Sequence, residues 1–235
     1  MIDHRDTKAR VGDLDPKITD NIQNLRLIAG EIIERAAFLS ASVGNKNQEK
    51  LRDSFSGHAL HPLIRGSAHL CIVALCRFWD KSYALETIQA IKNHQKSIQD
   101  IRKRAHPDWP DPRLQIGTLE HEIDETIRLA AELLASPEYR HCRSLRTERL
   151  AHFPDGPSRD RKKLLGEHVE PSTKYDDLNK LSIKTLAILD RMISHWEFHV
   201  ENSQDTYELF RKYSLIFWDS LPYFSKVEND AILWQ

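Results

Sequence analysis

Arg146-Thr147-Glu148-Arg149-Leu150-Ala151-His152 brings together side-chain types that can act on a phosphodiester without a metal. A guanidinium presents a fork of N–H donors that fits two phosphate oxygens, and an imidazole can move a proton near neutral pH. RNA carries its own nucleophile in the 2′-hydroxyl, so the two groups are the minimum needed to cut it. The candidate catalytic residues are Arg146, Thr147 and His152, with Arg143 and Arg149 as candidate RNA-binding residues.

Spacing alone does not carry that reading. An arginine followed five to seven residues later by a histidine should occur about three times by chance in a chain this rich in both. Arg52…His58 is another such pair. Context separates the two. Between Arg140 and Lys163 there are eight basic residues against three acidic ones, a local charge of +5 in a chain of net charge −1. Phosphate-binding surfaces need such a local excess, because release of counterions drives the attraction. A solvated charge run is the ordinary alternative. The Arg52 segment has no basic surroundings.

Helical geometry adds a constraint. Residues six apart on an ideal helix differ by about 120° in direction and about 9 Å along the axis. Arg146 and His152 therefore do not share a face of one unbroken helix. A site pooled across a two-fold interface, with one subunit's Arg facing the other's His, removes that difficulty.

Other chemistries are weaker. His195-Trp196-Glu197-Phe198-His199 puts two imidazoles at i and i+4, but Glu197 does not follow the first histidine as in HExxH. Hydrogen-bonded histidines are the usual outcome, and no metal or other cofactor is expected. His69, Cys71 and Cys76 lie on an apolar run and read as core. The tryptophans are dispersed, which gives no stacking platform for single-stranded nucleic acid. There is no Gly-rich phosphate loop and no nucleophile elbow.

The elements that must position these groups read as helices. Glycines number only 8, β-branched alternation is scarce, and the apolar share of 40 % is ordinary for a globular chain. Helical periodicity runs from Asp15-Pro16 to near Ser40, and from about Leu60 to Trp79 with Pro62 in the first turn. The second of these is apolar on most sides and is expected at the centre of the bundle. A third helix spans about 82–106, before three prolines in Pro107–Pro112. A fourth spans about 114–134, and a shorter one starts at Ser136-Pro137 and carries the Arg146 segment up to Pro154. Residues 153–173 read as a long polar loop, followed by helices at about 173–201 and 205–219.

The expectation is an all-α bundle of six to seven helices in a single domain over 17–220. A flexible segment at 1–16 precedes it and an aromatic tail at 221–235 follows it. Trp218 and its aromatic neighbours either close the core or dock on a partner. Three cysteines without a CxxC pair, no leader-like start and no apolar run near 20 residues point to a cytoplasmic protein that makes no membrane contact.

Leu145-Arg146-Thr147-Glu148-Arg149-Leu150-Ala151-His152-Phe153 resembles the arginine-to-histidine signature of the HEPN superfamily, in which a polar residue often follows the Arg. Arg77-Phe78-Trp79-Asp80 with Ser82…Leu85 looks like its AbiU2-like, abortive-infection branch. The resemblance covers roughly residues 20–200. It implies a HEPN-type helical bundle, commonly a homodimer, acting as a metal-independent ribonuclease of a toxin–antitoxin or phage-defence system. A protein antitoxin or other defence-system partner would come with that role. Arg146 would stabilise the anionic transition state, His152 would act as general base or acid, and Thr147 would orient the arginine or the phosphate. The resemblance also allows a non-catalytic binding module or a helical adaptor. One departure concerns regulation: some HEPN toxins carry a modifiable tyrosine two residues after the histidine, and Pro154 stands there in this chain.

Overall fold

The computed structural model describes residues 14–42, 55–80, 83–105, 118–147, 175–197 and 201–221. Among these residues all regular structure is helical: α1 (Pro16–Ser42), α2 (Phe55–Phe78), α3 (Ala84–Asn93), α4 (Gln95–Ala105), α5 (Thr118–Ala135), α6 (Pro137–Leu145), α7 (Tyr175–Glu197) and α8 (Ser203–Ser220). The all-α expectation holds, and eight helices stand where six to seven were expected.

The extra helix comes from a break at His94. Its N–H is shared between the carbonyls of Ala90 (3.2 Å) and Ile91 (3.1 Å), which ends α3. The His94 carbonyl then accepts from Ile98 N–H at 3.0 Å and starts α4. No Gly or Pro marks this point. Tertiary contacts hold it instead, with the His94 ring edge-on to Trp196 (centroids 6.3 Å apart) and its Nε2 3.8 Å from the Asp15 carboxylate.

Two helices at the centre position the rest. α1 packs against α2, α3, α7 and α8, and α7 packs against α1, α2, α3, α5, α6 and α8. Along α1, Ile18, Ile22, Leu25, Ala29, Ile32, Ala36 and Leu39 recur at helical spacing and are all buried. Each buried Ile or Leu among them stabilises the fold by about 1.5–3 kcal/mol. Phe38 closes the far end of α1 against Trp218 of α8 (centroids 5.3 Å apart), so Trp218 closes the core. The expectation that the second helix is most central fails. Leu63 and Leu70 of α2 are 47 % and 52 % exposed, so α2 lies on the outside of α1 and α7. Mean apolarity overstates burial when one flank of a helix meets solvent. Pro62 also lies well inside α2 rather than in its first turn.

Several interior polar groups bridge helices. Trp79 Nε1 donates to Thr185 Oγ1 and Trp196 Nε1 donates to Thr19 Oγ1, each at 3.0 Å, tying α7 to the end of α2 and to α1. Asp190 of α7 accepts from the Ser203 backbone N–H (3.0 Å) and hydroxyl (2.6 Å), fixing the start of α8. No helix is long and apolar enough to cross a membrane among the described residues.

Candidate active site

The element that carries the arginine is α6, and its start follows directly from sequence. Ser136 is extended (φ −65°, ψ 146°) and its Oγ accepts from Tyr139 N–H at 3.2 Å, with Pro137 in the first helical position. Tyr139, Cys142 and Leu145 recur every three residues and form the buried face. Arg140 and Arg143 face solvent. Glu138 in the first turn and Arg143 in the last both complement the helix dipole.

At Arg146 and Thr147 the backbone widens into a π-type turn. Such turns re-aim side chains at a helix end. Arg146 Nη1 donates to both carboxylate oxygens of Asp80, at 3.1 and 3.3 Å. The two side chains keep 36 % and 47 % of their surface exposed. Asp80 holds the Arg146 guanidinium above its ordinary pKa, chiefly through that hydrogen bond, with burial opposing and the Cys76 thiol a lesser contact. Thr147 is exposed, and its hydroxyl donates to the Arg143 carbonyl at 3.1 Å. Arg149 and His152 lie outside the described residues, as do Arg52 and the side chain of His58. The structure thus locates Arg143, Arg146 and Thr147 on one helix end.

Sequence reasoning missed what surrounds Arg146. One helical turn before it, buried Cys142 lies against buried Cys76, one turn before Asp80. That contact draws the Cys76 thiol down and pushes Cys142 up. Burial pushes the neighbouring Tyr139 phenol up to about 12. The ends of α2 and α6 therefore meet in register, Cys76 on Cys142 and Asp80 on Arg146. Asp80 precedes Arg146 by 66 residues, and no local pattern pairs them. All three cysteines are free and buried, as read from the sequence.

The histidine pair at 195 and 199 resolves differently. His195 is buried in α7 with Nε2 3.0 Å from Thr126 Oγ1 and Nδ1 4.0 Å from a Glu122 oxygen. Glu197 is taken by Arg26 in two hydrogen bonds of 2.8 Å, and His199 lies outside the described residues. No group of three or more His, Cys, Asp or Glu residues is arranged to hold a metal among the described residues. A cleft of about 230 Å³ opens between α6 and α7, lined by Glu138, His141 and Asp177 among others.

No curated protein and no solved structure matches the chain. A family model described as AbiU2 (HEPN_AbiU2) does match, over residues 9–217. With that match covering most of its length, and with an all-helical core that presents an arginine at a partly open helix end, this chain belongs to the AbiU2 family of HEPN proteins, a family associated with abortive infection.

Proposed function

We propose that this protein is a metal-independent endoribonuclease of a toxin–antitoxin or phage-defence system, working as a homodimer in the cytoplasm. The observation that carries the reading is a partly exposed Arg146 at the end of a helix in a chain of the HEPN family. In the reaction the RNA 2′-oxygen attacks the adjacent phosphorus while its proton passes to His152. The 5′-oxygen leaves and takes up a proton, giving a 2′,3′-cyclic phosphate and a free 5′-hydroxyl. Arg146 stabilises the charge that builds on the non-bridging oxygens, a role whose loss costs about 10²–10³ in rate for comparable donors. Arg143 and Arg149 hold flanking phosphates, and Thr147 steadies the turn that carries Arg146. An antitoxin or other defence partner restrains the activity.

The test uses Arg146→Ala and His152→Ala on purified protein with structured RNA in EDTA. Each variant should lose cleavage by at least about 10². When the two inactive variants are mixed and allowed to exchange subunits, one intact Arg–His site forms in each mixed dimer. Activity should then return to about a quarter of wild type. Wild-type cleavage by either variant overturns the reading, and failure of the mixture to recover overturns the shared site.

A second reading has its own support. Arg146 is already paired with a carboxylate, as it would be in a HEPN-like module that binds a protein or nucleic acid without cutting. RNA retained on the protein under salt-sensitive conditions with no cyclic-phosphate product would favour it.

A further inference from the structure

The contact between Asp80 and Arg146 has a geometry that a merely structural pair does not need. Only Nη1 faces the carboxylate, and it meets both oxygens, at 3.1 and 3.3 Å. No bond from the carboxylate reaches Nε or Nη2, and Cys76 is a lesser contact of the guanidinium; the Nε–Nη2 edge is the one that fits two oxygens of a phosphate. At 36 % and 47 % exposure and these lengths, the pair contributes little to stability.

Asp80 itself stands on a firm base. It follows Phe78 and Trp79, both buried, and the Trp79 indole is bonded to Thr185 of α7. The Asp80 carbonyl accepts from Tyr83 N–H at 3.1 Å, closing the turn between α2 and α3. Cys76 and Cys142 join the two helix ends one turn deeper. A carboxylate on such a platform can fix one side of a long, flexible arginine and aim its other side outward.

We infer that Asp80 is the positioning residue for Arg146, holding Nη1 so that the Nε–Nη2 edge is presented to the phosphate of the reacting RNA. The inference rests on the nuclease reading above and adds a residue to it. It also predicts an asymmetry. A negative charge beside an incoming phosphate weakens binding of the ground state, while the fixed guanidinium serves the transition state. Removing Asp80 should therefore lower kcat without raising KM.

The experiment measures steady-state RNA cleavage by wild type, Asp80→Ala, Asp80→Asn, Asp80→Glu and Arg146→Ala. It repeats Asp80→Ala in an Arg146→Lys background, because an ammonium has no edge to orient. Asp80→Ala should lower kcat about tenfold with KM equal or lower, a transition-state effect rather than a binding effect. Asp80→Glu should recover most of that loss, and Asp80→Asn should lower KM. In the Arg146→Lys background, Asp80→Ala should change kcat by less than twofold. Thermal unfolding midpoints identify any variant that fails to fold, and the near-isosteric Asp80→Asn then stands in for Asp80→Ala.

The inference is overturned if Asp80→Ala stays within twofold of wild type while Arg146→Ala is dead. Equal losses in the wild-type and Arg146→Lys backgrounds overturn it too, since they mark a structural effect. Arg146→Ala cutting like wild type removes the nuclease reading and the inference with it.

Discussion

Arg26 and Arg146 are both held by carboxylates, and the way each is held differs. Arg26 uses its whole fork: Nη1 and Nη2 donate to the two oxygens of Glu197 at 2.8 Å, and Nε donates to Glu201 at 3.0 Å. Glu197 keeps only 1 % of its side-chain surface. Burial works against the Arg26 charge, and the two carboxylates more than offset it, raising its pKa. Arg146 spends one nitrogen on one half-exposed carboxylate at longer distances. A guanidinium whose three nitrogens each bond a carboxylate ties helices together. One with an edge that no carboxylate occupies, at the surface, is equipped to receive an oxyanion from outside.

The comparison can be broken first at Glu197. Glu197→Ala leaves Arg26 without its main partner and should destabilise the protein by about 3–5 kcal/mol, read from urea unfolding. A loss below about 1 kcal/mol would mean that Arg26 is no more committed to the fold than a surface pair. Next comes Arg146→Ala, which should cost less than about 1 kcal/mol in the same assay while abolishing RNA cleavage. If it unfolds the protein as Glu197→Ala does, the distinction between the two arginines disappears.

A finer effect tests a carboxylate that lacks any guanidinium. Burial raises the pKa of Asp190 above the ordinary aspartate range, against the lowering effect of its bonds to Ser203. The folded state then binds the proton more tightly than the unfolded one. Stability falls as pH rises from the unfolded aspartate pKa, about 3.9, through the raised folded value. Asp190→Asn should lack that fall, and the difference between the two stability–pH curves isolates it. Parallel curves would show that burial does not shift the Asp190 carboxyl.

Much of the fold was legible in the chain. The periodicity of Ile18, Ile22, Leu25, Ile32 and Leu39 gives α1 to within two residues at its end, and Ser136-Pro137 marks the start of α6. These signals are local: a cap, a missing N–H, an apolar stripe every three or four residues. The break at His94 was not legible, because Trp196 and Asp15 hold it and no neighbouring residue announces it. Nor was the outer position of α2, whose composition does not reveal which flank meets solvent. Of the site, the helix that carries Arg143 and Arg146 is legible in the sequence, while Asp80 stands out there only as part of the family-like run Arg77-Phe78-Trp79-Asp80.

The sequence by itself determined that this chain is helical, where most helices begin and end, and which short segment holds an arginine and a histidine together. Those properties depend on interactions a few residues apart. Only the tertiary structure decided that Arg26 is consumed in the interior and that Arg146 meets Asp80 with half of its fork free of any carboxylate. Side chains 171 and 66 residues from their partners meet only through the packing of α1 on α7 and of α6 on α2, and no local pattern encodes that packing.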